Sequence, residues 1–254
     1  MPELRHDPLQ KRWVIIATDR ARRPSDFVVQ EAELETTICP FCEGNEGMTP
    51  PEILAVRKED TNANAPGWSV RVVPNKYPAL GIEGDLDRRG LGIFDTMNGV
   101  GAHEVIIESP DHDIPLSELS DQHVERILLT WQDRIRDLRK DDRFRYILVF
   151  KNHGMSAGAS LAHPHTQLIA TPVTPLNVAR ELESCRVHFN AKERCLYCDI
   201  IAQELAIGDR IVHIDDKYVV MTPFASRFPF ETLIAPLHHQ HDFTSVTPED
   251  MSSL

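Results

Sequence analysis

The sequence predicts an α+β fold built from two similar units, each an antiparallel sheet backed by helices, with the second unit incomplete. Two stretches, 104–112 and 231–239, align without gaps, and each places a histidine just after a strand that begins with glutamate. This self-similarity indicates an internal duplication. Residues 121–139 carry apolar side chains at steps of three and four, a pattern typical of an amphipathic helix lying across a sheet. We expect a first domain over residues 1–185 and a partial second domain over residues 186–254.

Length and composition describe a chain that can bury a large core. The chain has 254 residues, of which 41% are hydrophobic and 26% charged, as in ordinary globular proteins. Its formal net charge of -12 argues against a nucleic-acid-binding surface. No apolar run reaches the length of about 18 residues expected of a membrane span, and residues 1–7 lack the apolar part of a signal peptide. We therefore expect a cytoplasmic protein that does not bind membranes.

Strands in the first half are marked by β-branched and aromatic residues. Residues 12–17 form an apolar run, residues 68–74 alternate until a proline ends them, and the run Tyr146–Phe150 precedes a glycine-rich segment. Turn-forming residues follow each of these stretches. Residues 81–101 are rich in aspartate, arginine and glycine, and we expect them to form a mobile loop.

Residues 158–172 carry the candidate chemistry. They indicate a glycine-rich loop leading into a strand, and the spacing of two between His163, His165 and Gln167 places all three side chains on one face. Burying such groups without partners would cost about 1 to 3 kcal/mol each, so a functional site is the better interpretation. Neutral imidazole is a good nucleophile whose adducts are labile, which suits two-step transfer of a phosphoryl or nucleotidyl group. The glycines of the loop let backbone N–H groups approach phosphate oxygens.

Four of the five cysteines form two Cys-x-x-Cys pairs, Cys39 with Cys42 and Cys195 with Cys198. This spacing lets both sulfurs bind one zinc ion, and no thioredoxin-like βαβ pattern surrounds the first pair to favour a redox role. Histidines are available to complete both sites. The candidates for the first site are His103, His112 and His163; those for the second are His239, which the repeat aligns with His112, and its neighbours His238 and His241.

The sequence His163-Pro-His165-Thr-Gln167 resembles the His-x-His-x-Gln motif of the galactose-1-phosphate uridylyltransferase family, the transferase branch of the histidine triad superfamily. The resemblance covers nearly the whole chain. It implies two tandem histidine-triad-like units, with His165 as the covalent nucleophile and Gln167 holding a non-bridging phosphate oxygen. It also selects His112 and His163 to complete a structural zinc site with Cys39 and Cys42.

The resemblance further implies the substrate contacts. The residues expected to meet phosphate are Arg20, Arg23, Asn152 and Ser160, and those expected to hold the uridine nucleotide are Asn75 and Lys76. From the residues alone, the arginine-rich stretch 20–23 is equally well a solvated basic turn, and residues 74–78 are equally well an ordinary turn.

The implied activity is transfer of uridylyl from UDP-glucose to galactose 1-phosphate through a nucleotidyl-histidine, by a zinc-containing homodimer that binds a UDP-sugar and a hexose 1-phosphate. The second cysteine pair resembles a branch that acts on other nucleotide sugars, so a nucleotide-sugar phosphorylase or adenylyltransferase is an alternative. A histidine-triad nucleotide hydrolase is another, although that branch carries a third histidine where this chain has Gln167. A catalytically silent metal-binding protein would not need His165.

The end of the sequence indicates a helix that is just beginning. Thr247 suits the N-cap, and Pro248 suits the first helical position. In the first unit, His163 follows His112 by 51 positions, whereas only 15 residues follow His239. We therefore expect the chain to lack its C-terminal part and the second zinc site to have three ligands from the residues present: Cys195, Cys198 and His239.

Overall fold

The computed structural model describes residues 3–16, 38–159 and 161–254. Contacts divide the chain into two units, Met1–Val28 with Thr174–Leu254, and Val29–Val173. The boundary expected between residues 185 and 186 stays a prediction. None of the helices in the described part of the chain combines the length and apolar character needed to cross a bilayer.

The strands, in chain order, are β1 (Glu3–Asp7), β2 (Arg12–Ile16), β3 (Leu54–Arg57), β4 (Trp68–Pro74), β5 (Arg89–Leu91), β6 (Phe94–Thr96), β7 (Ala102–Ile107), β8 (Tyr146–Phe150), β9 (His165–Thr171), β10 (Ile211–Ile214), β11 (Tyr218–Met221) and β12 (Leu233–Pro236). The α-helices are α1 (Asp121–Leu138), α2 (Leu176–Lys192), α3 (Leu196–Ile207) and α4 (Pro248–Met251). The α+β class with antiparallel sheets is thereby confirmed.

The unit Val29–Val173 is built on a five-stranded antiparallel sheet in the order β3-β4-β7-β9-β8. The central pairing of β7 with β9 sets Ile107 opposite His165 and Val105 opposite Gln167. Strand β8 flanks β9 on its other side. The strand that begins with His165 is therefore paired on both edges, which holds its side chains in a fixed register.

The two faces of this sheet have different coverings. The predicted amphipathic helix is α1, and its Ile127 and Leu138 pack in one core cluster with Leu168 and Ala170 of β9. A second cluster contains Cys39 and Phe41 together with residues of β4 and β7. Because side chains alternate along a strand, β9 turns Leu168 and Ala170 towards α1 and turns His165 and Gln167 towards the cysteine-bearing segment.

A buried ion pair connects α1 to the sheet. Arg134 donates to both carboxylate oxygens of Glu104 at 2.8 Å and to Asp137 at 2.9 Å. Burial acts to lower the pKa of Arg134, but hydrogen bonding to Glu104 offsets it and the pKa is raised. The bidentate geometry satisfies both charges where water has little access.

The change Arg134→Met is expected to lower the free energy of unfolding by about 3 to 5 kcal/mol, because it leaves the Glu104 carboxylate buried without a counter-charge. Adding Glu104→Met should recover most of this loss. Chemical denaturation measures both effects, with Arg186→Met as a control that breaks an exposed pair with Glu183. A cost below about 1 kcal/mol for Arg134→Met would contradict the assignment.

The other unit contains the hairpin β1-β2, the helices α2 and α3, and a three-stranded antiparallel sheet, β10-β11-β12. Its core joins Ile201 of α3 to Val219, Met221 and Ala235 of the sheet. The predicted cap of α4 is confirmed, since the hydroxyl of Thr247 accepts from the backbone N–H of Asp250 at 3.2 Å.

The expectation that residues 81–101 form only a loop is wrong in part. Strands β5 and β6 pair there as a short antiparallel hairpin around Gly92, whose φ of 62° suits a tight turn. Each strand has only three residues and is exposed on both sides. Such strands lack the buried, alternating side chains by which a strand is recognised in a sequence.

Candidate active site and metal centres

Two groups of cysteine and histidine side chains in the described residues are placed to hold a metal ion. The first is Cys39, Cys42, His112 and His163, and the second is Cys195, Cys198 and His239. Within each group, the potential ligand atoms all lie within 4.8 Å of one another. The fold thus brings each Cys-x-x-Cys pair together with the histidines expected from the sequence.

The first group matches the dimensions of a tetrahedral zinc site. Nδ1 of His163 lies 3.7 Å from both Sγ atoms, and Nδ1 of His112 lies 3.3 Å from Sγ of Cys42. A tetrahedron with bonds of about 2.0 to 2.3 Å from zinc to nitrogen and sulfur has edges that match these distances between nitrogen and sulfur. Burial and the neighbouring Cys39 raise the pKa of Cys42 to about 11, so a bound cation is what would make both thiolates favourable.

The tautomer of His163 is fixed by the chain itself. Its Nε2 lies 2.8 Å from the carbonyl oxygen of Ser109, and a carbonyl only accepts, so Nε2 carries the proton and Nδ1 presents its lone pair to the sulfurs. The side chain is fully buried. Burial is the main cause that lowers the pKa of His163, which favours the neutral ring that a metal needs.

The second group has three potential ligands and is more open. Nδ1 of His239 lies 3.3 Å from Sγ of Cys198, and Cys195 stands at the N-cap of α3. His239 is exposed, whereas His163 of the first group is buried. A metal held here by these three residues would keep one coordination position for a further ligand.

His165 is the second histidine of the motif, and one of its ring nitrogens has no hydrogen bond to the backbone of the described residues. It begins β9 and is 8% exposed, and its ring packs edge-on to Phe41 with centroids 5.3 Å apart. Its Nδ1 lies 2.8 Å from the carbonyl oxygen of His163, so Nδ1 donates its proton there and the lone pair stays on Nε2. Burial is the main cause that lowers the pKa of His165, which favours the neutral, nucleophilic ring.

Gln167 lies two residues further along β9, on the same face. Its Oε1 is 3.0 Å from Nε2 of His103 in the adjacent strand β7. Nδ2 of Asn75, in the turn after β4, is 3.2 Å from the same imidazole nitrogen. The fold thus brings Asn75 and Gln167 together, and it adds His103, which the sequence offered as a candidate metal ligand and which the family resemblance left at the strand edge or behind the metal ligands.

The glycine loop before His163 has the backbone freedom that the sequence predicts. Gly154 and Gly158 have φ values of 77° and 87°, a region that favours glycine. Asn152 lies beside this loop, with its Nδ2 3.8 Å from where a Cβ on Gly158 would lie. Lys76 is exposed, and its Nζ is 3.5 Å from the carbonyl oxygen of Met48.

The sequence profile of the family described as "Galactose-1-phosphate uridyl transferase, N-terminal domain" matches residues 1–175. This match covers more than half of the chain. The chain belongs to the galactose-1-phosphate uridylyltransferase family.

Two curated relatives differ in their named activity. ADP-glucose phosphorylase of Arabidopsis thaliana is 37% identical over 247 residues, which is 95% of this chain and 68% of that one. Galactose-1-phosphate uridylyltransferase of Thermotoga maritima is 30% identical over 251 residues, 98% of this chain and 71% of that one. The family resemblance predicted from the histidine motif is confirmed.

Solved structures show the same relationship. The structure of an ADP-glucose phosphorylase from Arabidopsis thaliana with bound ADP-glucose matches with a TM-score of 0.81 and 34% identity, over 99% of this chain and 73% of that one. A uridylyltransferase structure matches with a TM-score of 0.72 and 26% identity, over 99% of this chain and 71% of that one. Members of this family thus share the fold while differing in the activity they are named for.

Three residues that the family resemblance singles out lie outside the described residues: Arg20, Arg23 and Ser160. Next to the site, the sequence interpretation missed an ion pair. The carboxylate of Glu108 is fully buried, pairs with the ammonium of Lys151, and accepts from the hydroxyl of Thr166 at 2.6 Å. Thr166 follows His165 in β9, while Glu108 and Lys151 come directly after β7 and β8. The network therefore connects the ends of these three strands. No periodicity signals it, because its members come from separate segments.

Proposed function

We propose that this chain transfers a nucleotidyl group from a nucleotide sugar to a second phosphate-bearing acceptor through a covalent intermediate on His165. The observation that carries the proposal is the state of that imidazole. Its Nδ1 is bonded to the carbonyl oxygen of His163, which leaves Nε2 as the attacking atom. His163 also belongs to the first metal-ligand group. The hydrogen bond from His165 to His163 therefore connects the proposed nucleophile to a rigid support.

The proposed reaction has two displacements at one phosphorus atom. Nε2 of His165 attacks the α-phosphorus, a P–N bond forms, and the bond from that phosphorus to the bridging oxygen breaks, so a sugar 1-phosphate leaves with the electron pair. An ionised oxygen of the acceptor then attacks, a P–O bond forms, and the electron pair of the P–N bond returns to Nε2. Neither displacement requires a proton from the protein.

The other proposed roles follow the chemistry of each side chain. Amide N–H groups of Gln167, Asn75 and Asn152 would donate to phosphate and ribose oxygens, while Lys76 would supply positive charge. Arg20, Arg23 and Ser160 are proposed to meet phosphate as well. We propose zinc for both metal-ligand groups, since sulfur and imidazole donors at tetrahedral spacing suit that ion. When bound, zinc at the first group would fix the segment that carries His165.

In the first version of this proposal, the donor is UDP-glucose and the acceptor is galactose 1-phosphate. A second version, phosphorolysis of ADP-glucose, is favoured by the 37% identity and TM-score of 0.81 to ADP-glucose phosphorylase. In that version His165 would receive the adenylyl group, glucose 1-phosphate would leave, and inorganic phosphate would accept the group to give ADP. A homodimer and a cytoplasmic location stay predictions.

The test is a matrix of donors and acceptors. The protein would be incubated with UDP-glucose or ADP-glucose labelled in the α-phosphate, and acid-labile label on the protein would be counted. Galactose 1-phosphate or inorganic phosphate would then be added to discharge it. We expect one donor to label the protein and one acceptor to release the label as a nucleotide. Failure of both donors to label the protein would contradict the proposal.

The change Gln167→His is expected to raise hydrolysis relative to transfer by about tenfold or more. An imidazole can take and give a proton, which helps a neutral water molecule attack, whereas an amide cannot. The ratio of free nucleotide to transferred nucleotide measures this effect. Gln167→Leu is the control, since it removes the amide without adding a proton carrier and should slow both reactions. An unchanged ratio in Gln167→His would contradict the proposed division between transfer and hydrolysis.

A further inference from the structure

His103 lies between two amide side chains of the proposed substrate site, Gln167 and Asn75. It belongs to β7 and faces the same side of the sheet as Gln167 of β9. Its Nε2 is 3.0 Å from Oε1 of Gln167 and 3.2 Å from Nδ2 of Asn75, while its Nδ1 is 3.1 Å from the backbone nitrogen of Ala79. The steps proposed above assign no role to His103.

The backbone N–H of Ala79 determines which nitrogen of His103 carries the proton. A backbone N–H can only donate, so Nδ1 of His103 must accept and be unprotonated. The neutral ring therefore carries its proton on Nε2 and donates it to Oε1 of Gln167. A ring protonated on Nδ1 would instead oppose two N–H groups at 3.1 Å.

This tautomer orients the two amides in the same sense. The oxygen of Gln167 is held by His103, and the oxygen of Asn75 accepts from the backbone N–H of Tyr77 at 2.9 Å. The backbone N–H of Asn75 in turn donates to the carbonyl oxygen of His103 at 2.8 Å, which ties the turn to β7. Because a protonated Nε2 cannot accept from Asn75, neither amide nitrogen donates to His103, and both can donate to another acceptor.

We propose that His103 is a positioning residue that fixes the amide of Gln167 with its nitrogen available to the non-bridging oxygens of a nucleotide α-phosphate. This role rests on the nucleotidyl transfer proposed above. The last torsion of a glutamine side chain has two broad minima that exchange its oxygen and nitrogen. In the wrong one, Oε1 would face the phosphate and repel it. The proton on Nε2 of His103 selects the right one, because it bonds only to the oxygen.

The kinetic test compares two substitutions of His103. We expect His103→Leu to lower the single-turnover rate of nucleotidylation by about tenfold, the scale of one lost hydrogen bond, with little change in KM for the nucleotide sugar. His103→Gln should recover most of the rate, since its amide nitrogen can reach the place of Nε2 and donate. His123→Leu is the control, because it removes an imidazole that bonds the carbonyl oxygen of Glu108 without contacting Gln167.

A double-mutant cycle separates positioning from a general structural role. If His103 acts through Gln167, adding His103→Leu to Gln167→Leu should cause no further loss of rate. Additive losses, or a rate for His103→Leu equal to that of the wild type, would overturn the inference. The melting temperature and zinc content should be measured for every variant. We expect each to differ from the wild-type value by no more than it does in His123→Leu. A fall in either that accounts for the lost rate would also overturn it.

The tautomer can be observed without turnover. A long-range proton–nitrogen NMR spectrum of protein labelled with 15N-histidine should show one ring protonated on Nε2 and unprotonated on Nδ1 that disappears in His103→Gln. If the ring that disappears in His103→Gln is instead protonated on Nδ1, in a wild type that labels with nucleotide, the role of His103 is overturned and the proposed function stays intact. A wild type that takes up no label would overturn the proposed function, and with it the role of His103.

Discussion

The change His165→Gly is expected to abolish nucleotidyl transfer while leaving the fold and metal content intact. The substitution removes the attacking Nε2 and nothing that the metal-ligand group needs, since His163 supplies its own side chain. Loss of a covalent nucleophile typically costs a factor of about 10⁴ to 10⁶ in kcat. The rate of label transfer from nucleotide sugar to acceptor, measured with the preferred pair, is the readout.

Exogenous imidazole gives this prediction an internal check. The vacated volume beside Phe41, whose ring packs against His165 in the wild type, has the size of the missing ring. Added imidazole should restore part of the turnover by attacking the α-phosphorus from that volume. Thr171→Gly controls for a glycine in the same strand and should keep most of the activity. Wild-type rates in His165→Gly without imidazole would refute the covalent assignment.

The change Cys39→Ser is expected to remove the first metal ion and to destabilise the protein by more than about 10 °C in melting temperature, with insoluble protein as the extreme result. Structural zinc contributes about 10 to 16 kcal/mol to the folding of isolated zinc-finger peptides. Even half of that value would produce such a shift in a domain of this size. Cys39 is buried within the core cluster that contains Phe41, and its loss leaves three members of the first group, Cys42, His112 and His163.

Two further cysteines calibrate this result. Cys195→Ser should have a milder effect, because the second metal-ligand group is more exposed and has three members among the described residues. Cys185→Ser is the matched control, since Cys185 is half-buried but belongs to neither group. Elemental analysis for zinc and thermal melts report on all three. Full zinc content and an unchanged melting temperature in Cys39→Ser would contradict the structural role.

The sequence predicts the cysteines of both metal-ligand groups because their signal is local, whereas the choice of His112 and His163 follows from the family resemblance. Each Cys-x-x-Cys pair fixes two ligands within one turn of chain, and the repeat relates His239 to His112. The same holds for His165 and Gln167, whose spacing of two determines a shared face once the strand is recognised. The strand itself is predicted by its apolar content. Because it pairs with a strand on each edge, the face that carries His165 and Gln167 has a fixed orientation.

The roles of His103, Glu108 and Lys151 could not be predicted in this way. The contact of His103 with Gln167 depends on the register of β7 with β9, and the proton that orients it depends on where the turn places the N–H of Ala79. Glu108 and Lys151 pair across 43 residues of chain. Long-range polar networks carry no periodicity, so only the folded arrangement reveals them.

Mass spectrometry of the trapped intermediate tests the central claim most directly. The protein would be mixed with an excess of its nucleotide-sugar donor without acceptor, quenched in base to preserve the P–N bond, and digested under the same conditions. We predict a nucleoside monophosphate adduct on the peptide that contains His165, absent from His165→Gly and lost when acceptor is added before the quench. An adduct on a different residue would contradict the account. So would a wild-type protein that turns over its substrates but forms no adduct.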